Sequence, residues 1–190
     1  MTETLAVAVA DLTVTALTVL AEARWPESPD DLVPPPLPGF VVSSFSATVA
    51  EVAGRCMSRR GPSGADVDRP LVTAVVLASA LGDVASAVHV AEAVDAGRRI
   101  GPLLFFQSVP NSVAGHVAAR WQLTGPIVSV GSLETGLDVA ALMVEDGDAD
   151  EVLLIRIEQD SATAVLLSDL SDLHDLSDRA EAESVAEEER

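Results

Sequence analysis

The sequence feature that most constrains the fold is a pair of apolar runs with only two residues between them. The runs are EVLLIRIE at 151–158 and SATAVLLS at 161–168, separated by Gln159 and Asp160. A link of two residues joins neighbouring strands as an antiparallel hairpin. Apolar runs at 5–20, 71–79 and 127–130 alternate with helical segments, which is typical of parallel βαβ units. We therefore expect one α/β domain over 1–168, with a five-stranded mixed sheet, mostly parallel with an antiparallel last strand, and helices on its faces.

Apolar residues spaced three and four apart predict the helices. The first covers 46–60 and turns five residues inward, with the single cysteine as a packing thiol: Val49, Val52, Ala53, Cys56 and Met57. The second is capped by Asp83, runs to about Ala96 and leaves His89 on its polar face, while four residues point inward: Val84, Val88, Ala91 and Val94. The third, at 110–121, carries a stripe of small residues that suits close packing against another backbone: Ala114, Gly115, Ala118 and Ala119.

Two segments depart from this pattern. Residues 21–40 hold six of the eleven prolines and predict an ordered excursion that Trp25 pins to the body. From 169 to 190 the sequence becomes an acidic tail, in which Leu170, Leu173 and Leu176 could line one edge of a short helix. The tail is more simply interpreted as a solvated, flexible segment.

Composition removes several classes of function. A formal charge of −19 repels nucleic acid and anionic membranes. All eleven basic residues are Arg, so a Schiff-base or P-loop lysine is absent. A lone Cys cannot form an internal disulfide, and the acidic start lacks the positive region of a signal peptide. The apolar run at 5–20 contains Asp11 and is short for a membrane span. We expect a cytoplasmic protein.

The sequence offers little conventional catalytic chemistry. LTGPIVSVGSLETGLDVAALM at 123–143 predicts a strand, a tight turn and a helix, an elbow that often carries a nucleophile. Here the elbow consists of Gly131, Ser132, Leu133 and Glu134. No G-x-S-x-G motif occurs, and only His116 among the three histidines could approach the elbow. EDGDADE at 145–151 lacks the spacing of a calcium loop, so we predict no metal site and no cofactor.

The motifs taken together resemble a known family. PLLFFQSVPNSVAGHVAARWQLTGPIVSV, beginning at Pro102, resembles β-ketoacyl synthases and their chain-length-factor relatives. The resemblance covers roughly 68–168 and is strongest over 102–138. It implies a thiolase-like fold of two similar α/β halves, of which this chain holds the N-terminal half. It also places Glu134 at the position of the family's nucleophilic cysteine. The family's catalytic histidines and lysine belong to the second half, so no residue here inherits those roles.

The resemblance implies a function and a seam for association. We expect a non-catalytic partner subunit, like a chain-length factor, that pairs with an active β-ketoacyl synthase in polyketide or fatty-acid-type biosynthesis, shapes or stabilises its acyl site, and meets acyl carrier protein indirectly. Glu134 would be a helix cap or a tunnel-end plug. The implied interface comprises nine residues: Phe105, Phe106, Pro110, Asn111, Ala114, Gly115, His116, Ala118 and Ala119.

Two alternatives stay open at this stage. Glu134, with His116, could support decarboxylation of a malonyl thioester or another acyl reaction. The chain could instead be a free-standing homodimer that binds an acyl group or a protein. In either case, the sheet face that a second half would cover needs the proline-rich excursion or another chain over it, since a large bare apolar face is unfavourable in water.

Overall fold

The sheet of the computed structural model has five strands in the order β1-β5-β4-β2-β3. The structure describes residues 17–40, 42–60 and 70–169. The strands are β1 (Leu17–Trp25), β2 (Thr73–Ala78), β3 (Ile127–Val130), β4 (Glu151–Glu158) and β5 (Ser161–Asp169). β2 pairs in parallel with β3 and β4, while β5 is antiparallel to both β4 and β1. The predicted mixed α/β sheet with its terminal hairpin is confirmed, and it is consistent with a thiolase-like N-terminal half.

Five helices accompany the sheet in the described residues. They are α1 (Phe45–Arg59), α2 (Val84–Asp95), α3 (Pro102–Gln107), α4 (Pro110–Trp121) and α5 (Leu133–Glu145). The sequence predicted four of them with small boundary errors. It did not predict α3, because six residues are too few to show a helical period.

Helices α1 and α4 cover one sheet face, called here the first face. The five inward residues predicted for α1 are all buried there, and Val113 and Val117 of α4 join them. Burial raises the pKa of the Cys56 thiol to about 12. Its Sγ lies 3.6 Å from the carbonyl oxygen of Ala21, to which it donates. The prediction of a packing thiol is therefore confirmed.

Helix α5 covers the other, second face. Leu137 and Ala140 pack against Val76 and Leu154 of the sheet. Gly136 allows the close approach, because a Cβ there would lie 2.9 Å from Cδ1 of Leu154. The helix lies over β2, β3 and β4 and meets β5 near its margin.

The inward face predicted for α2 is wrong. Asp83 does cap the helix, accepting from the Ser86 amide at 3.0 Å, and His89 is exposed as expected. However, Val88 and Val94 are 50% and 61% exposed, and Ala91 is exposed as well. The reason is that α2 packs on α3 rather than on the sheet. Its apolar periodicity therefore marks a surface rather than a core.

The first strand and the proline-rich excursion divide later than predicted. Residues 5–16 of the predicted first strand lie outside the described residues, as does the acidic tail from 170 onward. The described strand continues to Trp25, so the excursion begins at Pro26 rather than near 21. Trp25 is buried in the first-face core, and the Arg55 guanidinium lies 4.7 Å from its ring. In the described part of the chain, no helix has the length and hydropathy needed to cross a membrane.

Candidate functional site

The elbow forms where β3 hands over to α5. Gly125, just before β3, must be glycine, because a Cβ would lie 2.6 Å from the backbone of Thr73 and Ala74. Its amide donates to the Thr73 carbonyl at 3.0 Å, and the Pro126 carbonyl accepts from the Val75 amide at 2.9 Å. The Gly-Pro pair thus seats β3 against β2 and fixes the position of the elbow that follows.

The elbow itself presents a carboxylate to solvent. Ser132 caps α5, its Oγ accepting from the Thr135 amide at 3.1 Å. Gly131 and Glu134 are exposed, and Leu133 packs partly on the second-face core. Glu134 occupies the first turn, where the helix dipole favours a negative charge. The described residues hold one cysteine, Cys56, which is buried on the opposite face. The elbow therefore has the geometry of a nucleophile site but displays an anion that is a poor nucleophile in water.

A cavity of about 300 Å³ lies beside the elbow, at the carboxyl ends of β2 and β3. In open α/β sheets this edge is where ligands bind. The lining combines an apolar wall with hydroxyls and one carboxylate: Leu77, Ser79, Leu81, Gly82, Asp83, Ala87, Ser108, Pro110, Ser129 and Val130.

Asp83 stiffens one wall of this cavity. Its carboxylate accepts from the hydroxyls of Ser43 at 2.6 Å and Ser86 at 2.7 Å, besides capping α2. Since these bonds engage both of its oxygens and the side chain is buried, Asp83 holds the start of α2 in place rather than reaching into the cavity.

Exposed apolar side chains surround the cavity, and sequence reasoning missed most of them. We call the following set the β3-edge surface: Leu81, Leu103, Phe106, Val109 and Ile127, which are 73%, 63%, 59%, 45% and 36% exposed. β3 is the last strand of the sheet, and Pro126 and Val130 carbonyls accept from β2. The backbone groups of the alternate residues, Ile127 and Ser129, therefore face the open edge.

A sequence signal for this surface does exist. No Asp or Glu occurs from residue 96 to 133, although the chain holds 30 acids in 190 residues. At the average density such a stretch would contain about six, and depletion of charge is the compositional mark of an interface core. The signal lies in the distribution of charge rather than in any motif.

The structure divides the nine predicted interface residues. Ala114 and Ala118 are 0% and 6% exposed and lie in the first-face core, so their small side chains accommodate α1 rather than a partner. Gly115 and His116 are half-buried, and Ala119 is exposed. Phe106 is exposed, Pro110 lines the cavity, and Asn111 accepts from the Ser129 hydroxyl at 2.5 Å. The side chain of Phe105 lies outside the described part.

His116 and Glu134 do not form a catalytic pair. The His116 ring stacks edge-on against Phe40 of the excursion, 5.9 Å between centroids, on the first face. Glu134 belongs to α5 on the second face. With the sheet between their helices, the imidazole cannot exchange a proton directly with that carboxylate.

The acidic turn at 145–151 is structural. Asp150 accepts from the Val72 amide at 2.7 Å, and buried Glu151 accepts from the Thr73 hydroxyl at 2.5 Å. Burial raises the pKa of Glu151, and Arg60 lies 2.9 Å away as an ion pair without hydrogen-bond alignment. Within residues 17–40, 42–60 and 70–169, no group of three or more His, Cys, Asp or Glu could hold a metal ion.

Comparisons with known proteins give one family and several similar folds. The profile described as "Beta-ketoacyl synthase, N-terminal domain" matches residues 42–169, about two thirds of the chain. No curated protein matches the sequence significantly. Among solved structures, a ketosynthase in complex with its chain length factor from Xenorhabdus doucetiae is similar at 18% identity with a TM-score of 0.61, covering 80% of this chain and 79% of that one.

Two further structures show the same fold in longer chains. The ishigamide ketosynthase/chain length factor is 15% identical with a TM-score of 0.59, covering 71% of this chain and 46% of that one. A type II polyketide synthase acyl-carrier protein in complex with its ketosynthase bound to the hexaketide is 11% identical with a TM-score of 0.57, covering 85% and 60%. This chain thus spans less than two thirds of those two, but nearly four fifths of the first.

Proposed function

This chain belongs to the β-ketoacyl synthase N-terminal domain family, and from that premise we propose that it is a non-catalytic ketosynthase-like subunit. It associates with an active β-ketoacyl synthase in polyketide or fatty-acid-type biosynthesis and forms part of the wall of that enzyme's acyl site. The observation that carries this proposal is the elbow, which keeps the strand, cap and helix of a nucleophile site and presents Glu134 in place of a thiol.

The chemistry of the elbow argues against independent acyl transfer. A carboxylate at a solvent-exposed helix terminus is stabilised by about 0.3–1 kcal/mol, so it has no drive to attack a thioester. An activated nucleophile also needs a base within hydrogen-bond reach. The nearest sequence candidate, His116, packs against Phe40 on the other side of the sheet. This disfavours the decarboxylase alternative.

The length of the matched chain supports the partner role. The Xenorhabdus structure contains a ketosynthase and its chain length factor, and the aligned part is nearly the same fraction of this chain and of the matched chain. The two chains are therefore of similar length. A subunit of this size thus occurs in a complex of the proposed kind.

The β3-edge surface supports association through one defined region. Its apolar side chains frame the open backbone edge of β3 and the mouth of the cavity, within the acid-free stretch. A partner strand added to β3 would satisfy the open backbone groups and cover the apolar side chains at once. Such a partner would also close the cavity, which would then become one wall of a shared acyl site.

The test is co-expression with the β-ketoacyl synthase encoded nearest to this chain, followed by size-exclusion chromatography with light scattering. We expect a complex of one copy of each chain. The matched control is this chain expressed alone. A stable homodimer that ignores the synthase would reject the proposal and favour the free-standing binding protein. Synthase turnover that is the same with and without this chain, despite a complex, would reject the part concerning the acyl site.

A further inference from the structure

The two faces of the sheet are covered unequally by the described residues. The first face carries α1 and α4, and Leu37 and Phe40 of the excursion pack against the same core. The second face carries α5, which lies over β2, β3 and β4. The excursion therefore does not cover the second face, and that option of the sequence analysis is wrong.

An apolar row crosses the second face and continues past α5. It runs through the paired residues Ala74, Val152, Leu167 and Val19, from β2 to the outermost strand β1. The first three are fully buried, whereas Val19 is 44% exposed. On the first face the same strand is covered along its length, since Ala21, Ala23 and Trp25 are all buried. β1 thus has one covered side and one side that still needs a cover.

We propose that residues 5–16 of this chain fold over the second face beside α5 and cover β1 and β5. The segment reads LAVAVADLTVTA, with nine apolar residues of twelve and Asp11 as its single charge. It joins β1 at Leu17, which already packs against the second-face core. Such a segment is strongly unfavourable in water, and a bare apolar row lies at its point of attachment.

The dimensions agree with this placement. Neighbouring strands lie about 4.8 Å apart, so the distance from β1 to β4, where α5 begins to cover the sheet, is about 10 Å. Twelve residues span about 18 Å as a helix and about 40 Å when extended. The segment can therefore cover the uncovered width in either conformation.

The acidic tail is the competing occupant, and charge disfavours it. The tail leaves β5 after Asp169, which pairs with Leu17, so it starts from the same edge of the sheet. Residues 170–190 hold eight acids and two Arg, however, and the C-terminal end of α5 is acidic and exposed: Glu145, Asp146 and Asp148. Like charges would repel the tail, whereas residues 5–16 are almost uncharged.

The test measures how fast a cysteine placed on this row is alkylated in the full chain. Val19→Cys reports the row, and Leu32→Cys, at an 85% exposed site in the excursion, is the matched control. Native Cys56 is buried and stays unreactive on this timescale. We expect Val19→Cys to react at least about tenfold more slowly than Leu32→Cys. Adding Val7→Asp and Val9→Asp should abolish most of that protection without changing Leu32→Cys.

Three results would overturn the proposal. Equal alkylation rates at the two sites in otherwise unaltered chains would show that the row is bare. Protection that survives Val7→Asp with Val9→Asp would show that another segment covers it. Protection that is lost instead with Leu170→Asp and Leu173→Asp would assign the cover to the tail. The first comparison leaves residues 5–16 unaltered, so a folding defect in the aspartate variants cannot hide the answer, and no synthase is required.

Discussion

Arg55 of helix α1 and Asp31 of the proline-rich excursion form a two-bond ion pair, with Nη1 to Oδ2 at 2.9 Å and Nη2 to Oδ1 at 2.8 Å. The same guanidinium donates through Nε to Glu51 at 2.8 Å and stacks on Trp25. Parallel bonds between a guanidinium and a carboxylate hold both groups in a fixed orientation. This pair therefore fastens the middle of the excursion to the first-face layer, where proline alone would fix only the local backbone.

Arg55→Gln should release the excursion. The variant loses both bonds to Asp31 and the cation above Trp25. We expect new proteolytic cleavage within 26–40 and a lower melting temperature, while the sheet signal in circular dichroism is retained. Arg24→Gln is the matched control, because Arg24 makes only a half-exposed contact to Glu22. An unchanged cleavage pattern in Arg55→Gln would contradict the fastening role.

The same pair predicts a loss of stability in acid. The Arg55 hydrogen bond, followed by that from the Glu27 amide, holds the pKa of Asp31 well below its usual range. The Arg59 hydrogen bond likewise lowers the pKa of Glu27. A carboxyl with a lowered folded-state pKa contributes stability above its unfolded pKa, near 4, and loses it as the pH falls toward the folded value.

Comparison of Asp31→Asn with the unaltered protein isolates that contribution. At pH 7 the variant should be less stable in urea denaturation, and the difference should shrink as the pH falls below about 4. Burial raises the pKa of Glu151, which acts in the opposite sense, but Glu151 is present in both proteins and cancels. A stability difference that does not change with pH would contradict this account.

Gly125 and Gly136 should respond very differently to alanine. At Gly125 the added Cβ would meet backbone atoms at 2.6 Å, which can move only if β2 and β3 separate. At Gly136 it would meet the end of the Leu154 side chain at 2.9 Å, which can rotate. We expect Gly125→Ala to cost about 3 kcal/mol or more and Gly136→Ala about 1 kcal/mol, measured by chemical denaturation. Equal costs would show that the Gly-Pro junction is not constrained by contact with β2.

The elbow residues should matter for structure more than for chemistry. Ser132→Ala removes the cap of α5 and should cost about 1 kcal/mol. Glu134→Gln removes an exposed charge near the helix dipole and should change stability by at most about 1 kcal/mol. In the complex with a synthase, Glu134→Gln should leave the rate of product formation unchanged. A large loss of turnover in Glu134→Gln with intact assembly would instead assign Glu134 a chemical role.

Local pattern predicted the elements that lie on the sheet. The hairpin at Gln159 and Asp160, the inward stripe of α1 and the elbow before α5 all follow from spacing, because burial against a sheet imposes the period of each element. The stripe of α4 predicted burial correctly but not against what. Ala114 and Ala118 pack on α1 inside the chain, and no sequence pattern distinguishes an internal contact from a contact with another subunit.

The errors concern elements whose surroundings lie elsewhere in the fold. Helix α2 has apolar residues at helical spacing but no sheet beneath it, so Val88 and Val94 are exposed. The excursion was predicted as a linker from its prolines, yet its position depends on Arg55 and Phe40, which are remote from its proline run in sequence or lie at its end. Long-range contacts of this kind become visible only when the chain is folded.

The β3-edge surface gives the sharpest prediction for association. Phe106→Asp places a charge on a 59% exposed side chain of this surface, and Ile127→Pro removes an amide from the open edge of β3. Neither side chain belongs to the two buried cores, so each variant should fold alone with a circular dichroism spectrum like that of the unaltered chain. Each should lose the complex with the synthase, because the charge remains unpaired in an apolar interface and the missing amide interrupts strand addition.

Leu32→Asp is the matched control for these two variants. Leu32 is 85% exposed but lies in the excursion, which borders neither β3 nor the cavity. It should therefore bind the synthase as the unaltered chain does when both are compared by light scattering at equal concentrations. Loss of the complex in Leu32→Asp together with retention in Phe106→Asp would move the interface to the first-face side. In that case the charge-depleted stretch from 96 to 133 would need another explanation, because a shared acyl site can form only where the partner meets the cavity.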